Sequence, residues 1–202
     1  EPREYILSNG MKVLLVEVPK APVATVQVWY KVGSRNEVMG RAGLSHMLEH
    51  MMFKGTARYP KGSFSRIVRK NGGIDNAFTG QDFTAYFENV AADRVGLALE
   101  LEADRMQGLL LDHSEFQTER DVVKEERRLR SEDDPQGALV EALFAQAFLS
   151  HPYHWPVIGW FADLDAMSLE DLQRHYDTFY SPNNATLVVV GDIKSDSLLP
   201  TI

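Results

Sequence analysis

Within five residues, His46-Met47-Leu48-Glu49-His50 places two imidazoles and a carboxylate. On an α-helix successive residues turn by about 100°, so His46 and His50 project from one face, one turn apart. Two neutral imidazoles so placed can meet a single tetrahedral metal ion. Glu49 falls on the same side of the helix, between the histidines when viewed end-on, and can reach a metal-bound water without being a ligand itself. The order is the inverse of His-Glu-x-x-His and keeps the same parts. The plain alternative is a solvated helix that happens to carry two histidines and a glutamate. The neighbours argue against it: Leu44, Met47, Leu48, Met51, Met52 and Phe53 make the segment apolar almost all round, so it should be buried. Buried imidazoles and a carboxylate are costly without a partner, and a metal supplies one.

A catalytic zinc site takes three protein ligands and keeps one position open for water. The best source of the third is a long helix that Ser114 could cap and that reaches about Asp133. Glu119, Val122, Val123, Glu126 and Leu129 lie along one stripe of it, while Thr118, Asp121, Glu125 and Arg128 occupy the outer face. Glutamates set in a core-facing stripe need a reason to be there. Glu126 as ligand, with Glu119 two turns earlier supporting a ligating imidazole, provides one. Glu125 points about 100° away, and a salt-bridged structural role for Glu126 is the competing reading.

The elements that must hold these residues read as an α+β domain. Residues 5–7 and 12–18 flank Asn9-Gly10, a hairpin turn, and 23–32 alternates as a strand. A helix is predicted over 43–53, and a second, with Ser63 as N-cap, runs to Lys70. Strands at 74–79 and 83–89 are joined by Gly80-Gln81-Asp82. Residues 91–107 have helical spacing, Pro135 closes the long helix, and 138–149 is a further amphipathic helix. Ser168 and Asp171 cap a helix to Phe179, and 185–190 reads as a fully buried strand. The fold class is therefore a mixed, largely antiparallel sheet with helices packed on it.

At 202 residues the chain fits one domain with a sizeable core. It has no cysteine, which removes disulfides, thiolate metal sites and cysteine nucleophiles. Acidic residues outnumber basic ones 29 to 21, for a net charge of −8 that disfavours nucleic acid. Arg127, Arg128 and Arg130 sit among acidic neighbours and read as a solvated helix face. No apolar run approaches the roughly 18 residues of a membrane span. The chain opens at Glu1-Pro2 and stops at Pro200-Thr201-Ile202 soon after a buried-looking strand, which reads as a cut.

These residues resemble the pitrilysin-type, or M16, zinc peptidases, also called inverzincins. The stretch from Gly43 through the His46–His50 motif to Lys54-Gly55-Thr56 is close to that family's signature. Glu126 stands at the spacing of the family's third ligand and Glu119 at that of its supporting glutamate. Asn76-Ala77-Phe78-Thr79, Thr84-Ala85-Tyr86, Val157-Ile158-Gly159, Ser181-Pro182-Asn183-Asn184-Ala185 and Val190-Gly191-Asp192 match further, in order along nearly the whole chain. The resemblance implies a metallopeptidase fold of the LuxS and processing-peptidase type and one Zn²⁺ on His46, His50 and Glu126. It implies a zinc endopeptidase in which zinc polarises the scissile carbonyl and Glu49 takes a proton from the bound water, then passes it to the leaving amine. An extended peptide or unfolded segment is expected to pair with the edge strand at Asn76, Ala77, Phe78 and Thr79. Family members join this half to a similar second half, so a partner half or subunit is expected, with 1–202 as the truncated N-terminal peptidase domain. Bacterial relatives are often exported, which favours the periplasm over the cytoplasm.

The alternative within the family is a non-catalytic or partner-dependent subunit; such subunits usually lack the motif, and this chain keeps all four residues. The other His-x-x-Glu-His enzyme, S-ribosylhomocysteine lyase, needs a cysteine that this chain does not have. His113, His151 and His154 are assigned no chemistry, the last two reading as a loop packed on neighbouring helices.

Overall fold

The computed structural model describes all 202 residues. Six strands form one sheet in the order β1-β2-β6-β3-β5-β4. β1 (Arg3–Ile6) and β2 (Lys12–Glu17) are the expected hairpin, turning at Gly10 with φ +86°. β3 (Val23–Tyr30) pairs antiparallel with both β5 (Thr84–Ala91) and β6 (Ala185–Gly191), and β4 (Ile74–Thr79) pairs antiparallel with β5. Only β2 and β6 run parallel. The mixed, largely antiparallel sheet predicted from the sequence is the one observed.

The strands bury one face. Val13 and Leu15, Val26 and Val28, Tyr86 and Val90, Leu187 and Val189 alternate inward and join one apolar core. That alternation corrects the expectation for 185–190: β6 is buried on one face and half-buried on the other, because helices cover only one side of the sheet. On the opposite side, Trp29 packs against Phe78 and Phe83 at centroid distances of 5.4 and 5.1 Å.

Two helices carry the candidate ligands. α1 (Leu44–Met51) lies against β4, α4 (His113–Arg127) and α7 (Leu169–Phe179), with Leu44, Met47, Leu48 and Met51 buried, as its all-round apolarity predicts. Its start is tight. Gly43 has φ +96°, and a Cβ there would meet the carbonyl oxygen of Ile158 at 2.7 Å. α2 (Ser63–Lys70) and α3 (Val95–Gly108) cover β4 and β3. Ser63 is the first helical residue of α2 rather than its cap, which is Gly62 in the left-handed region.

α4 (His113–Arg127) differs from expectation at both ends. Asp112, not Ser114, is the N-cap, accepting from the N–H groups of Ser114 and Glu115 at 2.8 and 3.0 Å. After Arg127 the backbone widens into a π-helical turn over Arg128–Glu132. Pro135 opens α5 (Pro135–Ala147) rather than only ending what precedes it, since the first turn of a helix needs no N–H there. The inward stripe of α4 is Phe116, Glu119, Val123 and Arg127, whereas Val122 and Leu129 are exposed. Arg127, expected on a solvated face, is 5% exposed. It makes a two-pronged pair with Glu141 of α5 at 2.8 and 2.9 Å and lies over the Trp160 ring. Arg128 and Arg130 are exposed as expected.

α6 (Phe161–Ala166) and α7 (Leu169–Phe179) complete the helical layer, α7 starting with the predicted Ser168–Asp171 capping box. A short α8 (Ser195–Leu198) follows β6. No helix is long and apolar enough to cross a membrane.

Candidate metal centre

His46 and His50 face one way from successive turns of α1, with ring centroids 4.7 Å apart. Glu126, on the last turn of α4, points its Oε2 between them. That oxygen is 3.3 Å from His50 Nε2 and 3.7 Å from His46 Nε2. The three candidate ligand atoms lie within 4.8 Å of one another.

These distances suit a metal better than a hydrogen-bond network. Bonds of about 2.0–2.1 Å in a tetrahedron separate ligand atoms by roughly 3.4 Å, close to the two N···O separations and longer than a good N–H···O bond. His46 supplies a second sign. It is buried, its Nδ1 has no hydrogen-bond partner, and its Nε2 is too far from Glu126 to hydrogen-bond. A cation beside Nε2 supplies the partner that this nitrogen lacks, while Nδ1 stays unpaired. Two neutral nitrogens and a carboxylate oxygen are a donor set that zinc accepts. The residues present therefore fit the ion.

Supporting groups surround the three. Glu119 Oε1 lies 2.9 Å from His50 Nδ1, and its other oxygen accepts from Lys54. The first contact places the His50 proton on Nδ1 and leaves Nε2 free to face Glu126. Arg130 Nη1 forms an ion pair with Glu126 Oε1 at 2.9 Å, on the oxygen other than the one between the histidines. Burial pushes His46 down to about 4, helped by its neighbour His50. With no ion beside it, burial would lower His50 too, but the hydrogen bonds it donates to Glu119 and Glu126 outweigh burial and raise His50 to about 9, so a metal takes the place of the Nε2 proton when it binds.

Glu49 stands apart from the ligand set. Thr79, at the end of β4, donates a hydrogen bond to its Oε2. Burial raises its pKa above the ordinary carboxylate value, against the pull of that bond. The site thus joins an acceptor of raised basicity on α1 to the end of a sheet edge. β4 is the last strand of the sheet, with no neighbour beyond it.

All four expected substrate contacts, Asn76, Ala77, Phe78 and Thr79, line the same 670 Å³ cavity as the histidines. They do so unequally. Ala77 and Thr79 are half-buried, and Thr79 reaches Glu49; Phe78 packs on Trp29 and Phe83 across the sheet. Asn76 Oδ1 accepts the N–H of Ala77 at 2.9 Å. His113 starts α4, and His151 and His154 sit in and beside a short turn at Pro152–His154, outside the metal cluster.

Sequence reasoning missed three buried charged groups near the site. Glu37 accepts from two N–H groups at the start of α1, Arg127 binds Glu141, and Arg105 sits in the core below Phe53. No local pattern marks any of them, since each partner except that of Glu37 comes from another strand, helix or turn of helix.

A sheet with helices on one face, carrying two histidines and a glutamate around one point, is the framework of an inverted-motif metallopeptidase. Residues 12–159 match the model of the insulinase family, Peptidase family M16, and 166–202 match that of the Peptidase M16 inactive domain. The chain belongs to the M16 peptidase family. It is 43% identical to zinc protease PqqE of Helicobacter pylori over 95% of its own length and 44% of the relative's. It is 33% identical to an uncharacterized zinc protease of Mycobacterium tuberculosis, Rv2782c, over 100% of the chain and 46% of the relative. A crystal structure of a protease from Helicobacter pylori superposes with a TM-score of 0.97 at 41% identity, covering 100% of this chain and 48% of that one. The chain thus spans a little under half the length of the relatives it matches. The region matched as the inactive domain contributes β6 to the same sheet as the rest.

Proposed function

We propose that this chain carries the catalytic centre of a zinc endopeptidase acting on peptides or unfolded polypeptide segments, with His46, His50 and Glu126 holding one Zn²⁺. The observation that supports it best is the convergence of those three side chains beside Glu49 at an unpaired sheet edge. Zinc, when bound, polarises the scissile carbonyl and makes a water acidic enough to ionise near neutral pH.

The chain's own groups do the rest. An extended peptide pairs with the outer edge of β4, where backbone bonding gives affinity without demanding a sequence. Asn76 Oδ1 yields the Ala77 N–H as the peptide arrives. Glu49 accepts the proton of the attacking water and returns it to the leaving nitrogen, and its raised basicity suits both transfers. Thr79 holds the Glu49 carboxylate toward the strand that carries substrate. Glu119 keeps His50 in the ligating tautomer.

In this reading residues 1–202 act as one metal-bearing domain, completed by a second half or partner subunit as in the longer relatives. The compartment proposed is the bacterial periplasm, where a protease of the same fold from Escherichia coli is described as residing; cell fractionation tests it.

Two measurements check the zinc assignment. The purified chain should bind one zinc per molecule, and the complete two-half protein should lose peptide cleavage to a chelator and regain it with zinc. A folded chain that stays metal-free after zinc supplementation refutes the proposal. Glu119→Gln removes the charge behind His50 and is expected to weaken zinc binding by about 10-fold or more, measured by competition with a chromophoric chelator.

A further inference from the structure

The start of α1 is held by a buried network that no local sequence signal marks. Glu37 is 6% exposed, and its carboxyl oxygens meet backbone N–H groups. Its Oε2 accepts the N–H of Gly43 and its Oε1 that of Ser45, each at 2.7 Å. These are among the N–H groups that a helix leaves free at its start, and Gly43, at the cap position, has no side chain to take them. Ser45, fully buried, is joined through its Oγ to His175 Nε2 of α7 at 3.0 Å. Next along the chain is His46.

We infer that Glu37, Ser45 and His175 form a positioning clamp that fixes the first turn of α1 on α7 and so sets where His46 meets zinc. The inference rests on the metallopeptidase reading above. Its physical basis is simple. α1 has only eight residues, too few to hold its shape alone, so the direction of the His46 side chain depends on what secures the turn before it. Adjacent contacts press on the same point: Asp163 accepts the Ala42 N–H at 2.9 Å, and Arg41 pairs with Asp171. Of these, only the clamp reaches residues within the helix and its cap.

Glutamate is required at position 37 for a reason of valence. Two N–H donors 2.7 Å from two oxygens need two acceptors, and an amide has one. Burial pushes Glu37 up to about 8, while the N–H groups of Ser45 and Gly43 pull the other way and favour the carboxylate, which offers both oxygens. Glu37→Gln therefore sets an NH₂ group against a backbone N–H. At position 175, leucine cannot bond Ser45, whereas glutamine can.

The test measures zinc affinity of the purified chain by chelator competition, together with the visible spectrum of the cobalt(II)-loaded protein. Expected for Glu37→Gln is a zinc Kd raised about 10-fold or more, with shifted cobalt bands, and for His175→Leu a smaller rise in the same direction. His175→Gln should return to within about 2-fold of the unsubstituted chain. Val189→Ala, a core cavity in β6 away from the site, controls for general destabilisation and should leave zinc Kd unchanged.

If Glu37→Gln does not fold, the contrast between His175→Leu and His175→Gln decides. Equal zinc affinity in those two variants, or a loss in Glu37→Gln no greater than in Val189→Ala, overturns the clamp. When the unsubstituted chain binds zinc and His46→Ala does not, that failure belongs to the clamp alone. Should the folded, unsubstituted chain take up no zinc, the metallopeptidase reading falls and the clamp with it.

Discussion

Glu49→Gln is expected to leave zinc binding intact while lowering peptide cleavage by the complete protein by about 10²–10⁴-fold, the usual contribution of a positioned general base. The geometry explains why the two effects should separate. Glu49 shares α1 with His46 and His50, but Glu126 of α4, not Glu49, faces both Nε2 atoms. The glutamine amide keeps an oxygen that can accept from Thr79, so the strand-to-helix contact survives. Only the ability to take a proton is removed. Zinc content by elemental analysis and kcat/KM on a quenched fluorescent peptide report the two properties independently. A zinc-loaded Glu49→Gln enzyme cleaving at the unsubstituted rate eliminates the proposed mechanism.

Arg105→Ala should destabilise the fold by about 3–5 kcal/mol, because it leaves buried carboxyl groups without their cation. For a chain of this size that is a fall in Tm of roughly 6–20 °C, readable by thermal unfolding in circular dichroism. Arg105 is 1% exposed. Its Nε lies 2.9 Å from Glu102 Oε2, and its Nη2 reaches both Glu102 and Glu88, the latter at 3.3 Å. Its guanidinium carbon is 4.2 Å from the Phe64 ring centroid, 4.5 Å from that of Tyr86 and 5.1 Å from that of Phe53. Burial, and then the neighbouring Glu102, raise Glu88 well above the usual carboxylate range, against the pull of Arg105. Phe53 also lines the metal cavity, which makes Arg105 part of the floor on which the site rests. A loss under about 1 kcal/mol would mean that the cluster is solvated or already neutral.

The metal helix was legible in the sequence because two independent signals agreed there. Spacing placed His46, Glu49 and His50 on one side, and the apolar residues around them required burial. Glu126 was legible for a weaker reason. The stripe assigned to α4 included Val122 and Leu129, both exposed, so its phase was off by part of a turn. Glu126 nevertheless lies at the margin of the true inward face, because the ligand must emerge beside α1 and not beneath it. The edge position of β4 followed from the resemblance, and the sheet order bears it out.

What stayed hidden are interactions between elements distant in sequence. An arginine such as Arg127 looks solvated until α5 folds back and presents Glu141. Arg105 and Glu102, three residues apart on α3, resemble an ordinary surface pair until Glu88 arrives from β5. Glu37 sits in the polar run Ser34-Arg35-Asn36-Glu37, where nothing distinguishes a helix clamp from a loop acid. Caps failed similarly: Asp112 and Ser114 are equally good choices by type, and only backbone geometry selects Asp112.

The sheet order carries a kinetic consequence. β6, formed by residues 185–191, lies between β2 and β3, so Leu14 must find Val188, and Val26 must find Val189, across most of the chain. Until that last strand leaves the ribosome, the β1–β2 hairpin has nothing to join it to β3, and two strand edges stand open. Folding that waits on such remote partners is slow and exposes apolar strands meanwhile. Both ligand-bearing helices are made before β6, so the sheet beneath them is completed only after they have been synthesised.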